Sequence, residues 1–323
     1  MRQITIHEFG TTDVLKLEDA PEPELGPGEV LVDVHFAGLN PLDYKMRDGS
    51  SGMCARMELP CSLGREFAGR LVGSADDVDL ADLGLEVGQW VFGIRSHQDL
   101  RGTYAERIAV SAEHIAPVPG DPDEAALPYF GGLALVGLTA MDAIEGARIS
   151  EGDTVLIHGG SGGVGQLLIP MALRAGASKV WATGRAANAE RIRELGAQPI
   201  PYDGVNWREV ITEETDGRGV DAVIDTHYFQ TFLPSLDHVA DGGRIVALPS
   251  LADLTPAKER GIEATIPGIA PTREKLDALA AAFTDGSLPL EVSEVLPLDE
   301  VARAHQQLES GHTRGKLILD VRA

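Results

Sequence analysis

The stretch Val155-Leu156-Ile157-His158-Gly159-Gly160-Ser161-Gly162-Gly163-Val164-Gly165, continued by an apolar run over 166–175, decides the fold. Three aliphatic residues in succession, Val155 to Ile157, read as a short buried strand. The glycines read as a tight turn, and the residues after Gly165 have helical spacing. Gly160, Gly162 and Gly165 satisfy the G-x-G-x-x-G spacing, with Ser161, Gly163 and Val164 between them. In this reading Gly160 permits the sharp exit from the strand, Gly162 leaves room for a pyrophosphate, and Gly165 lets the helix lie close to the sheet. The helix amino terminus then offers unpaired N–H groups and partial positive charge to the diphosphate. A plain glycine-rich surface turn is the competing reading. The context decides against it, because Val180-Trp181-Ala182-Thr183 supplies a second strand about 15 residues after the last glycine, as a βαβ unit requires.

The end of that second strand carries the cofactor choice. A site for the unphosphorylated dinucleotide usually places Asp or Glu there to hold the ribose 2′-hydroxyl, whereas a 2′-phosphate needs a cation. This chain has Thr183-Gly184-Arg185. Arg185 offers a planar bidentate contact to phosphate and no acid stands at that point, so NADPH is favoured over NADH.

The chain has 323 residues, of which 43% are hydrophobic, enough for two ordinary globular domains. No run of about 18 uncharged apolar residues occurs, which excludes a membrane-spanning helix. The opening MRQITIHEFG reads as a strand and makes the cytoplasm the expected compartment. Fifty acidic against 27 basic residues give a formal charge of −23, which repels phosphate backbones and argues against a nucleic-acid partner. The two cysteines, Cys54 and Cys61, lack the spacing of a zinc site, and the nine histidines show none either, so no metal is expected.

The first 120 residues are rich in short strands, at Ile4–Glu8, Glu29–Ala37, Glu66–Gly73 and Gln89–Ile94, separated by Pro and Gly punctuation. Such spacing suggests a barrel-like antiparallel domain. From Asp123 helices alternate with strands at Val155–His158, Val180–Thr183, Pro199–Tyr202, Ala222–Asp225 and Arg244–Leu248, with a sixth candidate at Ile262–Ile266. Helices are expected over Ala187–Leu195, Phe232–Ala240 and Thr272–Thr284, the last opened by Thr272 as N-cap. Strands with helical crossovers make a parallel, doubly wound sheet. The tail reads as strand, helix (Leu298–Glu309) and strand (Lys316–Val321), and is expected to return to the first domain. The domains are accordingly 1–122 with 287–323, and 123–286.

With these pieces in order the sequence resembles the medium-chain dehydrogenase/reductase superfamily, and within it the zinc-free quinone oxidoreductase branch related to zeta-crystallin. The resemblance covers essentially the whole chain. It rests on the segments 38–49, 63–69, 102–106 and 137–140, on the glycine loop, and on Ser310-Gly311-His312-Thr313-Arg314-Gly315-Lys316-Leu317-Ile318-Leu319. It implies an α/β fold with a GroES-like, β-barrel-type catalytic domain and a doubly wound parallel Rossmann sheet, with the cofactor in the cleft between them. Zinc-dependent relatives carry a cysteine where this chain has Asn40 and a His-Glu pair where it has Arg65-Glu66; amide and guanidinium do not replace thiolate and imidazole as zinc ligands.

The resemblance also assigns residues. Asn40 sits beside the nicotinamide, able to bond the ribose or a substrate carbonyl, or else caps its loop. Thr139, placed at the start of the interdomain helix, faces the cofactor or serves as a helix hydroxyl. Tyr202 lies near the adenosine 2′-phosphate or is a half-buried strand tyrosine. Arg314 and Lys316 reach the cofactor phosphates or form a solvated pair. Thr226, after Asp225 at the carboxyl end of the fourth strand, stands at the edge where ligands bind such sheets. Asp43 orders its loop through backbone N–H groups; Tyr44 donates a proton to a carbonyl or packs in the core; His158 is a packed residue. Three departures stand out: the link Tyr129–Val136 is long, Pro170 falls inside the helix after the glycine loop, and Ser50-Ser51-Gly52 stands where enoyl reductase relatives carry a tyrosine.

These readings converge on an NADPH-dependent, zinc-independent reductase that delivers hydride to a quinone or an α,β-unsaturated carbonyl compound. Asn40 and Tyr44 are the catalytic candidates. Reduction of an enoyl thioester, or a non-catalytic NADPH-binding redox sensor, are the alternatives. The edge strand near Ile262–Ile266 makes a homodimer the expected assembly.

Overall fold

Val30, Val32 and Val34 alternate with more exposed neighbours along the ten-residue strand Glu29–Gly38, the period-two pattern of a strand with one face on a core. A computed structural model, which describes residues 1–249 and 251–323, makes this strand the hub of the first sheet. In chain order the strands are β1 (Arg2–Thr5), β2 (Lys16–Asp19), β3 (Glu29–Gly38), β4 (Glu66–Ser74), β5 (Trp90–Ile94), β6 (Arg107–Ser111) and β7 (Ile115–Pro117). There follow β8 (Thr154–His158), β9 (Lys179–Gly184), β10 (Gln198–Pro201), β11 (Val220–Asp225), β12 (Val239–Ala247), β13 (Glu263–Thr265), β14 (Val292–Pro297) and β15 (Lys316–Asp320).

The chain divides into two compact units. The first comprises Met1–Leu135, Ala270–Gly286 and Leu290–Ala323; the second comprises Val136–Ile269 and Ser287–Pro289. Thus 123–135 and 270–286 lie with the first unit, where the sequence reading put them in the second.

The first unit holds a seven-stranded sheet in the order β14-β15-β3-β4-β5-β7, with β6 also paired to β3. Every pairing is antiparallel except β14 with β15. β15 joins the far end of β3, Ile318 opposite Gly38 and Asp320 opposite Phe36, so the tail returns to the first sheet. Its buried Leu317, Leu319 and Val321 join the valines of β3, Phe67 and Tyr104 in one apolar core. Short, charged or proline-ended strands (β2, β6, β7) are the ones that sequence spacing misses. β1 and β2 form a separate ribbon that ends at Thr5, three residues before the expected limit. Tyr129 stacks on Phe283 at 5.6 Å, and Phe130 meets both Phe92 and Phe283 edge-on, so the long link is occupied by a small aromatic core.

The second unit is a six-stranded, all-parallel sheet in the order β10-β9-β8-β11-β12-β13, the strand order of a doubly wound dinucleotide fold. β13 ends that order as the edge strand. All six expected strands are present. The helix expected over Phe232–Ala240 is shorter: it is α-helical over Phe232–Ser235 and 3-10 over Leu236–His238, because Val239 is taken up as the first residue of β12, opposite the buried Val220. The helix Gly165–Arg174 continues through Pro170. Another begins at Ala134 and ends at Ala147, which places Thr139 well inside it and not at its start.

Candidate functional site

The second unit carries the dinucleotide loop. The left-handed turn out of β8 falls on Gly159, with φ of 82°, one residue earlier than expected. Gly160 is required for a different reason: a Cβ there would stand 2.6 Å from the Cβ of Ala182 on β9. At Gly165 a Cβ would lie 2.0 Å from the Gly159 carbonyl oxygen, so the helix start is packed against its own loop. Gly162 differs from both, since its Cβ would meet only the Gly159 oxygen at 3.4 Å and otherwise open space. That is a cradle a side chain would fill, as the sequence reading requires of it.

Loop amides divide into used and available. Gly160 N–H donates to Thr183 O at 2.8 Å, Gly162 N–H to Gly159 O at 3.1 Å, and Gly159 N–H to Thr183 Oγ1 at 3.1 Å. Among the described residues the amides of Ser161, Gly163 and Val164 have no partner, and they sit at the amino terminus of the ten-residue helix Gly165–Arg174. Three open N–H groups with the positive end of a helix behind them form a receptor for a diphosphate.

Around this loop, Arg185 follows β9 and is exposed; its carbonyl accepts from the Asn188 amide at 2.9 Å, while its guanidinium makes no hydrogen bond or ion pair among the described residues. The Tyr202 amide donates to Gly184 O at 3.1 Å, which brings Tyr202, 48% exposed, to the end of β9. Asn188 Nδ2 donates to Ser161 Oγ at 3.0 Å, tying the loop to the turn after Arg185. One carboxylate is close in the fold although not in sequence: Asp203 Oδ1 accepts from the Ala186 amide at 2.9 Å. Thr226 is used for scaffolding, its hydroxyl donating to His158 O at 2.8 Å. Thr183 is buried and braces the loop through both its carbonyl and its hydroxyl. His158 is fully buried, and desolvation lowers its pKa to about 4 against the opposing pull of Asp225, so it is a neutral imidazole at physiological pH.

The first unit carries the second cluster, around Asn40. Lys316 is buried, and its ammonium donates to Leu39 O, Asn40 Oδ1 and Glu66 Oε1, each at 2.7 Å. All three of its protons are spent, so Lys316 is an internal cation and does not face a cofactor phosphate, contrary to the sequence reading. Glu66 Oε1 also accepts from Asn40 Nδ2 at 2.8 Å, and Oε2 accepts from the Leu135 amide at 2.7 Å, near the start of the helix Ala134–Ala147. The carboxylate thereby meets a lysine, an amide and a helix amino terminus at once, the conditions under which a buried charge is tolerated. Gly38 makes room for it, since a Cβ there would lie 2.6 Å from Glu66 Oε1. Glu66 is the residue that sequence reading missed. Its signal is a lone acid inside the apolar strand start Leu63–Leu71 together with a lone lysine opening Lys316–Leu319.

Asn40 itself is buried. Its carboxamide oxygen is held by Lys316 and one Nδ2 proton by Glu66, leaving a long 3.5 Å contact from Nδ2 to Gly38 O. Asp43 orders the loop as expected: its Oδ2 accepts from the Asn40 amide at 2.7 Å and from the Tyr104 hydroxyl at 2.9 Å. Tyr44 is half-buried and its hydroxyl makes no hydrogen bond among the described residues. Burial, then Glu309 and Asp48, raise its pKa, so it is a neutral phenol that keeps its proton. Arg314 is exposed, and its guanidinium pairs with Glu291.

Asp43 has a measurable consequence. Its side chain is fully buried with Oδ1 unpartnered, and desolvation raises its pKa from 3.8 to about 6. Between those values the folded protein binds a proton the unfolded chain has released, so folding stability falls as pH rises through this window. Relative to Asp43→Asn, the wild type is expected to lose stability from about pH 4 to about pH 6 and to run level above that. Urea denaturation at a series of pH values checks this, and parallel curves for the two proteins would contradict it.

The Asn40 neighbourhood does not fit a zinc ion. Arg65 is buried with its guanidinium on the carbonyls of Arg95, Ser96 and Asp99, and Asn40 Oδ1 already accepts from an ammonium. A thiolate and imidazole ligand set is missing there, and among the described residues no three His, Cys, Asp or Glu side chains gather as metal ligands.

Residues 26–120 match the family model described as "Alcohol dehydrogenase GroES-like domain", and residues 195–319 match the one described as "Zinc-binding dehydrogenase". The chain is similar to the 2-methylene-furan-3-one reductase of Solanum lycopersicum, 30% identical over 337 residues that cover 99% of this chain and 79% of that protein. Among solved structures it is similar to the quinone oxidoreductase from Coxiella burnetii, with a TM-score of 0.92, 34% identity, and coverage of 100% of this chain and 99% of the other. It is also similar to the Escherichia coli quinone oxidoreductase complexed with NADPH, with a TM-score of 0.87, 26% identity, and coverage of 99% and 100%.

Proposed function

Because the chain belongs to the medium-chain dehydrogenase/reductase superfamily, in its quinone oxidoreductase branch, and is a nicotinamide-dependent oxidoreductase, we propose that it takes NADPH and reduces a quinone or an α,β-unsaturated carbonyl compound without zinc. The observation that carries the reading is the open cradle at Gly162 with the three unpartnered amides of Ser161, Gly163 and Val164 around it. These groups hold the diphosphate. Arg185, with its guanidinium uncommitted, holds the 2′-phosphate bidentately, beside Tyr202. Asp203 stands one strand over with one oxygen already on the Ala186 amide, and it takes no part in the 2′ contact.

When bound, the reduced nicotinamide supplies the hydride. The first unit contributes fixed polarity: Lys316 and Glu66 clamp the Asn40 carboxamide, and the Nδ2 proton held only by the long contact to Gly38 O is the donor that turns to an acceptor carbonyl as charge develops on its oxygen. No side-chain nucleophile is required, and water supplies the proton.

Arg185→Ser tests the choice of coenzyme. A charge-assisted contact of this kind is worth about 1.5–3 kcal/mol, so NADPH affinity is expected to fall by roughly tenfold to a hundredfold with NADH affinity unchanged. Titration of nicotinamide fluorescence checks it. Equal losses for both dinucleotides would remove Arg185 from the site, and a wild type that prefers NADH would overturn the choice of NADPH.

A further inference from the structure

Behind the glycine loop runs a chain of buried side chains whose hydrogen-bond directions are fixed by elimination. Ser235, fully buried, spends its one hydroxyl proton on Thr231 O at 2.7 Å, so towards His158 Nε2, 2.9 Å away, it is an acceptor only. His158 Nε2 must therefore carry the imidazole proton. A neutral imidazole then has a bare Nδ1, and this atom faces Thr183 Oγ1 at 3.3 Å. Thr183 Oγ1 already accepts from the Gly159 amide at 3.1 Å, which leaves its own proton for Nδ1. Every bond points the same way, from Gly159 N–H through Thr183, His158 and Ser235 to Thr231 O. Aligned bonds of this kind in a low-dielectric interior reinforce one another. At the far end the Thr231 hydroxyl bonds both oxygens of the buried Asp225, at 2.7 and 2.8 Å.

We infer that His158 is a positioning residue for dinucleotide binding, acting through Thr183: as the Nε2–H tautomer it orients the Thr183 hydroxyl, which pins the Gly159 amide inward and holds the left-handed turn from which the open loop amides project. The inference rests on the dinucleotide reading of that loop and deepens it. Packing alone does not explain the arrangement. Trp207 covers one face of the ring edge-on at 4.8 Å, a contact that phenylalanine would keep, whereas two opposed polar contacts need a donor on one side and an acceptor on the other.

The two sides of the ring can be tested separately. Asparagine at 158 places its oxygen near the former Nδ1 and keeps an acceptor for Thr183, while glutamine reaches towards Ser235 and loses it. We expect His158→Asn to keep NADPH affinity within about threefold of wild type, and His158→Gln and His158→Phe each to weaken it by about tenfold, the cost of leaving a buried hydroxyl unpaired. Thr183→Val should weaken it at least as much, and adding His158→Phe to it should cost nothing further, because the second change acts through the first. Nitrogen NMR of the unliganded wild type should show the proton on Nε2. An Nδ1–H tautomer, additive losses in the double variant, or equal losses for the Asn and Gln variants would each overturn the inference. A wild type that binds no reduced dinucleotide would instead sink the functional proposal, and the tautomer would still decide whether the chain of bonds exists.

Discussion

Lys316→Met should destabilise the protein by about 3–5 kcal/mol, the cost of removing one partner from a buried ion pair and stranding the other. The lysine and Glu66 side chains are 3% and 0% exposed, and the ammonium holds three oxygens at 2.7 Å. Without it the Glu66 carboxylate retains only Asn40 Nδ2 and the Leu135 amide, and the Leu39 carbonyl and Asn40 Oδ1 lose their donor. Urea denaturation of the variant measures the loss. The accompanying double variant, Lys316→Met with Glu66→Gln, removes both charges and should recover more than half of it, since a neutral pair avoids desolvating an ion. A single variant as stable as wild type would mean that the pair is solvated in solution. Loss of Lys316 also frees the Asn40 carboxamide to rotate, so turnover should fall more than dinucleotide affinity does.

Gly165→Ala should lower dinucleotide affinity by about a hundredfold and melting temperature with it. Its methyl would lie 2.0 Å from the Gly159 carbonyl oxygen and 2.8 Å from Gly160 Cα, both backbone atoms that cannot rotate aside. Relief requires the helix and the loop to separate, at about 1–3 kcal/mol for such overpacking. Alanine is otherwise the better residue in a helix by roughly 0.5–1 kcal/mol, so any loss of stability isolates the clash. Gly162→Ala is the control. Its methyl enters open space, so the fold should be kept while the diphosphate is excluded. Thermal melts and nicotinamide fluorescence read the two effects apart. Unaltered affinity in Gly165→Ala would show that the loop moves freely, and the dinucleotide assignment would lose its geometric basis.

Much of this is legible in the sequence, and the reason differs by region. The four central strands of the second unit, β8, β9, β11 and β12, carry short aliphatic runs spaced by helices, and parallel strands buried on both faces have to look like that. Glycine spacing reported the loop because steric exclusion at a turn acts between residues only a few positions apart. Thr272 as N-cap and Asp43 as an organiser of its loop were visible for the same reason: each acts on backbone within three residues. The roles of individual glycines were less legible. The left-handed residue is Gly159, and what Gly160 avoids is Ala182, on a strand beyond the helix.

The side chains whose hydrogen-bond partners local sequence does not show share one property, a partner far away in the chain. Lys316 looked like a phosphate ligand at the end of a glycine turn; in the fold its partners are Asn40 and Glu66, 276 and 250 positions earlier. His158 looked like packing until Thr183 and Ser235, 25 and 77 positions later, were brought to its two nitrogens. Local patterning alone determined the two kinds of sheet, the order of the dinucleotide unit and the cation at the end of its second strand, because hydrophobic period and backbone sterics belong to neighbouring residues. Tertiary structure alone decided which polar groups are spent and which remain free to bind, because a proton or lone pair is committed only when strand pairing brings its partner within about 3 Å and shuts out water.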